Sequence, residues 1–134
     1  MARTQPRNDE ERIIGCLRYG SPQVVVILFI PSHDKNQKPL QNQPFWAGEA
    51  MTLFGELYRG ATAFQALEGI FLTDDNTLLR DKPILIESYA DRQIVEEPER
   101  LRRLLGFARH MGKETQQDSV AVVIADVLHI ISNL

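Results

Sequence analysis

The sequence predicts an α+β domain of the ferredoxin-like kind: an antiparallel sheet built in the order β-α-β-β-α-β, with both helices on one face. Three observations carry this. Val24-Val25-Val26-Ile27-Leu28-Phe29-Ile30 is rich in β-branched residues and apolar on both alternating sets, as expected of a central strand covered on both faces. Two later stretches, residues 46–57 and 101–111, repeat apolar residues at helical spacing. Strand-like runs follow each of them.

Residues 1–11 are polar throughout and read as a disordered tail, leaving a single domain over residues 12–134. Ile13, Ile14, Cys16 and Leu17 form a short apolar patch expected to pack on the domain edge, and Gly20-Ser21-Pro22 punctuates the chain before the first strand. Beyond that strand, residues 31–43 make a polar loop longer than most connections in a compact domain. Pro44 suits the first position of a helix, whose stripe is Trp46, Ala50, Leu53, Phe54 and Leu57, and Gly60 is expected to stop it. Residues 61–64 read as a short strand that residues 67–72 continue or re-enter, up to the turn signal Thr73-Asp74-Asp75-Asn76-Thr77. Pro83-Ile84-Leu85-Ile86-Glu87-Ser88-Tyr89 is the next strand. The second helix starts near Glu97-Pro98 and carries Leu101, Leu104, Leu105, Ala108 and Met111, with Arg109, His110 and Lys113 placed at the end that the helix dipole favours. Residues 119–131 are strand-like, with a weak hairpin signal at Ala125-Asp126.

Helices on one face leave Val25, Ile27, Phe29 and one alternate set from residues 120–124 without cover. A second copy packed sheet to sheet would cover them, so a homodimer through the sheet face is expected. The competing arrangement folds residues 12–20 back over the same face, together with the terminal segment.

At 134 residues the chain can bury a core without disulfides or metals, and 43% apolar with 25% charged residues excludes wholesale disorder. A net charge of −3 argues against a dedicated nucleic-acid binder, which needs a basic surface. Cys16 is the one cysteine and has no internal disulfide partner. The polar start lacks a secretory leader, and the longest apolar run falls far short of the roughly 20 residues of a membrane helix. A cytoplasmic protein without membrane association is expected.

Phe29-Ile30-Pro31-Ser32-His33-Asp34, Phe45-Trp46, Gly60-Ala61-Thr62-Ala63-Phe64 and His110-Met111-Gly112-Lys113-Glu114-Thr115-Gln116-Gln117 together resemble a family of small uncharacterised prokaryotic proteins, over about residues 14–131. Members carry a strand ending in Pro-Ser-His-Asp, a Gly-Ala-Thr-Ala turn and an Arg-Met-Gly-Lys/Arg-Glu segment. This chain departs in having His110 before Met111, and Phe71 where the family has a Trp. The resemblance implies a family and leaves activity open.

Candidate chemistry gathers at the end of the first strand. Ser32, His33 and Asp34 are consecutive, and extended neighbours point in alternating directions, so they do not form a triad by themselves. His33 as general acid or base, oriented by a carboxylate such as Glu87, Asp74 or Asp75, is the enzymatic form. In the competing form, Ser32 and Asp34 bond nearby amides to shape the turn. Glu87 interrupts an apolar strand and must be paired, protonated or cavity-facing. Trp46, Thr62 and Arg109 are candidate ligand-binding residues around the same pocket. His33, His110 and His129 lie in no metal-spaced pair, so neither metal nor cofactor is expected. Arg100, Arg102, Arg103, Arg109 and Lys113 make a basic helix surface diluted by Glu96, Glu97 and Glu99.

Three readings follow. The first is a dimeric binding or interaction module, with a small polar ligand possible. The second is a small hydrolase or proton-transfer enzyme using Ser32, His33, Asp34, Glu87 and Arg109. The third is a regulator that binds nucleic acid or an acidic partner through the basic helix.

Overall fold

The computed structural model describes residues 9–17, 22–132 and 134. Its elements in chain order are α1 (Asp9–Gly15), β1 (Gln23–Ile30), α2 (Gln43–Tyr58), β2 (Thr62–Gln65), β3 (Gly69–Leu72), β4 (Leu78–Asp81), β5 (Ile84–Asp91), α3 (Arg92–Val95), α4 (Pro98–Glu114), β6 (Ser119–Ile124) and β7 (Val127–Ser132). The protein is a mixed α+β structure. Its main sheet runs β2-β5-β1-β6-β7 with every neighbouring pair antiparallel, and β3 and β4 form a separate two-stranded ribbon.

β1 is central because both of its alternating sets are apolar. Val24, Val26, Leu28 and Ile30 are buried against Trp46, Ala50, Phe54 and Leu57 of α2 and Leu104, Ala108 and Met111 of α4. Ile86 and Ala90 of β5 and Val120 and Val122 of β6 complete that layer. Val25, Ile27 and Phe29 turn to the other face, where they stay half-buried.

Three local details depart from the sequence reading. Residues 9–11, expected within the tail, form the first turn of α1, where three successive acidic side chains suit the helix N-terminus; residues 1–8 lie outside the described residues, as does the Gly20-Ser21 punctuation. Ile13, Ile14 and Leu17, expected to pack on the domain edge, are 68%, 58% and 73% exposed, so α1 does not cover the open sheet face. Arg59 ends α2, instead of Gly60: it takes a left-handed φ of 70° and its amide donates to the Gly55 carbonyl at 2.9 Å.

α4 begins on Pro98, with the Glu97 carboxylate accepting from the Glu99 and Arg100 amides at 3.0 and 3.1 Å. Those bonds hold the Glu97 carboxyl below its ordinary range. Ala125 and Asp126 join β6 to β7 with both φ angles positive, at 50° and 70°, the geometry of a tight hairpin turn. Asp126 holds this turn in place because its Oδ1 accepts the Val25 amide at 2.8 Å.

Candidate functional site

The end of β1 opens into a loop that is held at many points. The Leu40 amide donates to the Ser32 carbonyl at 2.8 Å, and the Lys35 amide to Gln116 beyond α4 at 2.9 Å. The Gln117 side chain donates to the His33 carbonyl at 2.8 Å. Asp34 serves the loop itself: its Oδ1 accepts the Asn36 and Lys38 amides at 2.8 and 3.0 Å.

The carboxylate that reaches Ser32 and His33 is Asp81, at the end of β4. Its Oδ1 accepts the Ser32 amide at 2.8 Å and the Ser32 hydroxyl, and it lies 3.8 Å from His33 Nδ1. Because a carboxylate only accepts, the Ser32 hydroxyl donates to Asp81. Ser32 Oγ is then left to accept from the Lys82 amide and from His33 Nδ1, at 2.8 and 2.7 Å. This assigns the proton to Nδ1 and leaves Nε2 as the basic nitrogen, with no partner among the described residues. Ser32 is therefore hydrogen-bonded to capacity and is not activated as a nucleophile, since the histidine donates to it. What the cluster can do chemically is exchange a proton at His33 Nε2.

Glu87 sits elsewhere. It pairs with Ile27 on one side and Thr62 on the other, in mid-sheet on the open face. The row Thr62, Glu87, Ile27, Val123, Leu128 crosses all five strands on that face. The charge of the Glu87 carboxylate, two residues along the same face of β5, raises the Tyr89 phenol's pKa. Around this polar pair stand Val25, Phe29, Phe64, Leu85 and Ile130, a contiguous apolar surface in which Phe64, Leu128 and Ile130 are about half exposed.

The remaining candidates do not join His33. Trp46 is buried in the core, edge-on to Phe45, Phe107 and His110. Thr62 is exposed beside Glu87, and Arg109 is exposed on α4. The basic helix surface is largely neutralised by Arg100–Glu97, Arg102–Glu99 and Arg103–Glu56 pairs. Asp75 serves its own turn, with Thr73 and Thr77 holding its carboxyl below the ordinary range. Among the described residues no group of three potential metal ligands gathers, and no helix is long and apolar enough to cross a membrane.

Asp81 was outside the sequence candidates, because only the fold-back of the β3–β4 ribbon brings it to Ser32. It also ties the β3–β4 ribbon to the sheet. Asp81→Ala is expected to cost about 1–2 kcal/mol and to speed amide exchange across residues 78–82, measured by hydrogen–deuterium exchange.

No family model matches the chain, and no curated protein does. Its fold is shared with solved structures. A phage SAM lyase in complex with S-methyl-5′-thioadenosine superposes with a TM-score of 0.60 at 11% identity, over 87% of this chain and 95% of that one. A phage SAM lyase in the apo state gives 0.58 at 14% identity, over 87% and 94%. At these identities the likeness is one of fold.

Proposed function

We propose that the chain is a self-associating binding module of ferredoxin-like topology, with the β3–β4 ribbon inserted before β5 and β7 added at the edge, and that two copies meet through the open sheet face. The single observation that carries this is the uncovered apolar face around the Thr62-to-Leu128 row. A second copy suits it because a two-fold axis lets one apolar patch cover its own twin. α1 leaves its own apolar side chains exposed and does not act as the cover. Mass action links such assembly to stability, so the unfolding midpoint is expected to rise with protein concentration across the micromolar range. A midpoint independent of concentration would sink the proposal.

A second reading follows from one specific likeness. The SAM lyase of similar fold binds S-methyl-5′-thioadenosine, and here Glu87 and Tyr89 form a polar pair within an apolar layer suited to an adenosyl thioether or sulfonium. Calorimetric titration with S-methyl-5′-thioadenosine tests it. Saturable heat that Glu87→Gln removes supports the reading; no heat, or heat indifferent to that change, refutes it.

A further inference from the structure

We infer that Glu87 links assembly through the open sheet face to proton uptake, so that two copies hold together more tightly as the pH falls. The inference rests on the proposed interface and names what regulates it.

Glu87 stands inside the apolar layer of that face. Ile27 and Thr62 flank it across the neighbouring strands, and Leu85 precedes it on the same face of β5. In the single chain the carboxylate is partly exposed and keeps water. A second copy laid over the face removes that water, and a buried carboxyl then needs either a cation or a proton.

The strands of this face supply no cation. Strand residues alternate between the two faces, and no described strand position sharing a face with Glu87 is a lysine, an arginine or a histidine. The titratable groups on this side are Tyr89 and Asp91, further along β5, and Asp126 in the β6–β7 turn. The Glu87 charge raises the Tyr89 pKa, so the phenol stays neutral. Asp126 accepts the Val25 amide, and Asp91 has a partner of its own. Arg92, immediately beyond β5, pairs with Glu96, and α2 and α4 pack on the opposite face.

A copy of the same chain therefore brings more acidic charge and no strand cation to meet Glu87. A proton taken from solvent neutralises the carboxyl and gives it an O–H donor of its own. An assembled pair that binds more protons than two free chains gains on the acid side. The gain levels off near about pH 4, where free carboxyls are protonated as well.

The test is sedimentation equilibrium of the full chain at about pH 7.5 and about pH 5.5, at matched ionic strength, for the parent, Glu87→Gln and Glu49→Gln. The association constant of the parent is expected to rise about tenfold or more on acidification. Glu87→Gln should assemble at the higher pH about as tightly as the parent does at the lower one, and lose most of the pH response. Glu49→Gln removes the same charge from an exposed position on α2 and should keep the response, which separates Glu87 from a general loss of net charge. The inference alone is overturned, and the interface stands, if the parent assembles equally at both pH values. The same holds if Glu87→Gln keeps the full response or assembles more weakly than the parent, or if Glu49→Gln loses the response too. A parent that stays a single chain at both pH values overturns the inference and the interface together.

Discussion

Leu28→Ala is expected to lower stability by about 2–5 kcal/mol and the melting midpoint by roughly 10 °C or more. Leu28 is fully buried at the centre of β1, paired with Ile86 on one side and Val122 on the other, beneath both long helices. Truncation removes its transfer free energy and leaves a void that the clamped central strand cannot collapse around. Denaturant unfolding followed by circular dichroism measures the loss. A cost under about 1 kcal/mol would mean that β1 does not have helices packed on this face.

The second large effect lies on the other side of the same sheet. Leu128→Asp combined with Phe64→Asp is expected to abolish self-association, weakening it at least 100-fold or so, while leaving the isolated fold intact. Both side chains are about half exposed in the single chain, so a carboxylate there remains hydrated. Within a sheet-to-sheet interface it would be desolvated and unpaired, which costs several kcal/mol. Analytical ultracentrifugation with circular dichroism separates these outcomes. Loss of the folded spectrum, or an assembly that survives both charges, would contradict an interface on this face.

The two faces of β1 were legible in the sequence because the side-chain period of a strand is two, so an uninterrupted apolar run must present both faces. α2 and α4 were legible through their apolar spacing and their prolines. The β3–β4 ribbon was only half visible. Leu78-Leu79-Arg80-Asp81 is too short and too charged to signal a strand, and only its pairing with residues 69–72 makes it one. Asp81 was missed for the same reason, since the bonds that bring it to Ser32 depend on where the ribbon folds back. Gly60 was the natural expectation for the end of α2, yet Arg59 takes the left-handed position, its amide closing on the Gly55 carbonyl, which local propensity does not show. Ala125-Asp126 looked weak as a turn because its stabilising bond runs to Val25, far away in sequence. Glu87 stands out in the sequence as a carboxylate in an apolar strand, but its level in the sheet, away from His33, follows from the register with Ile27 and Thr62.

The central claim is that the open sheet face is covered by a second copy of the chain. Its most direct test is the molar mass of the unmodified protein by light scattering at micromolar concentration. A multiple of the 15.3 kDa chain mass is the expected result. A mass of one chain throughout that range would contradict it.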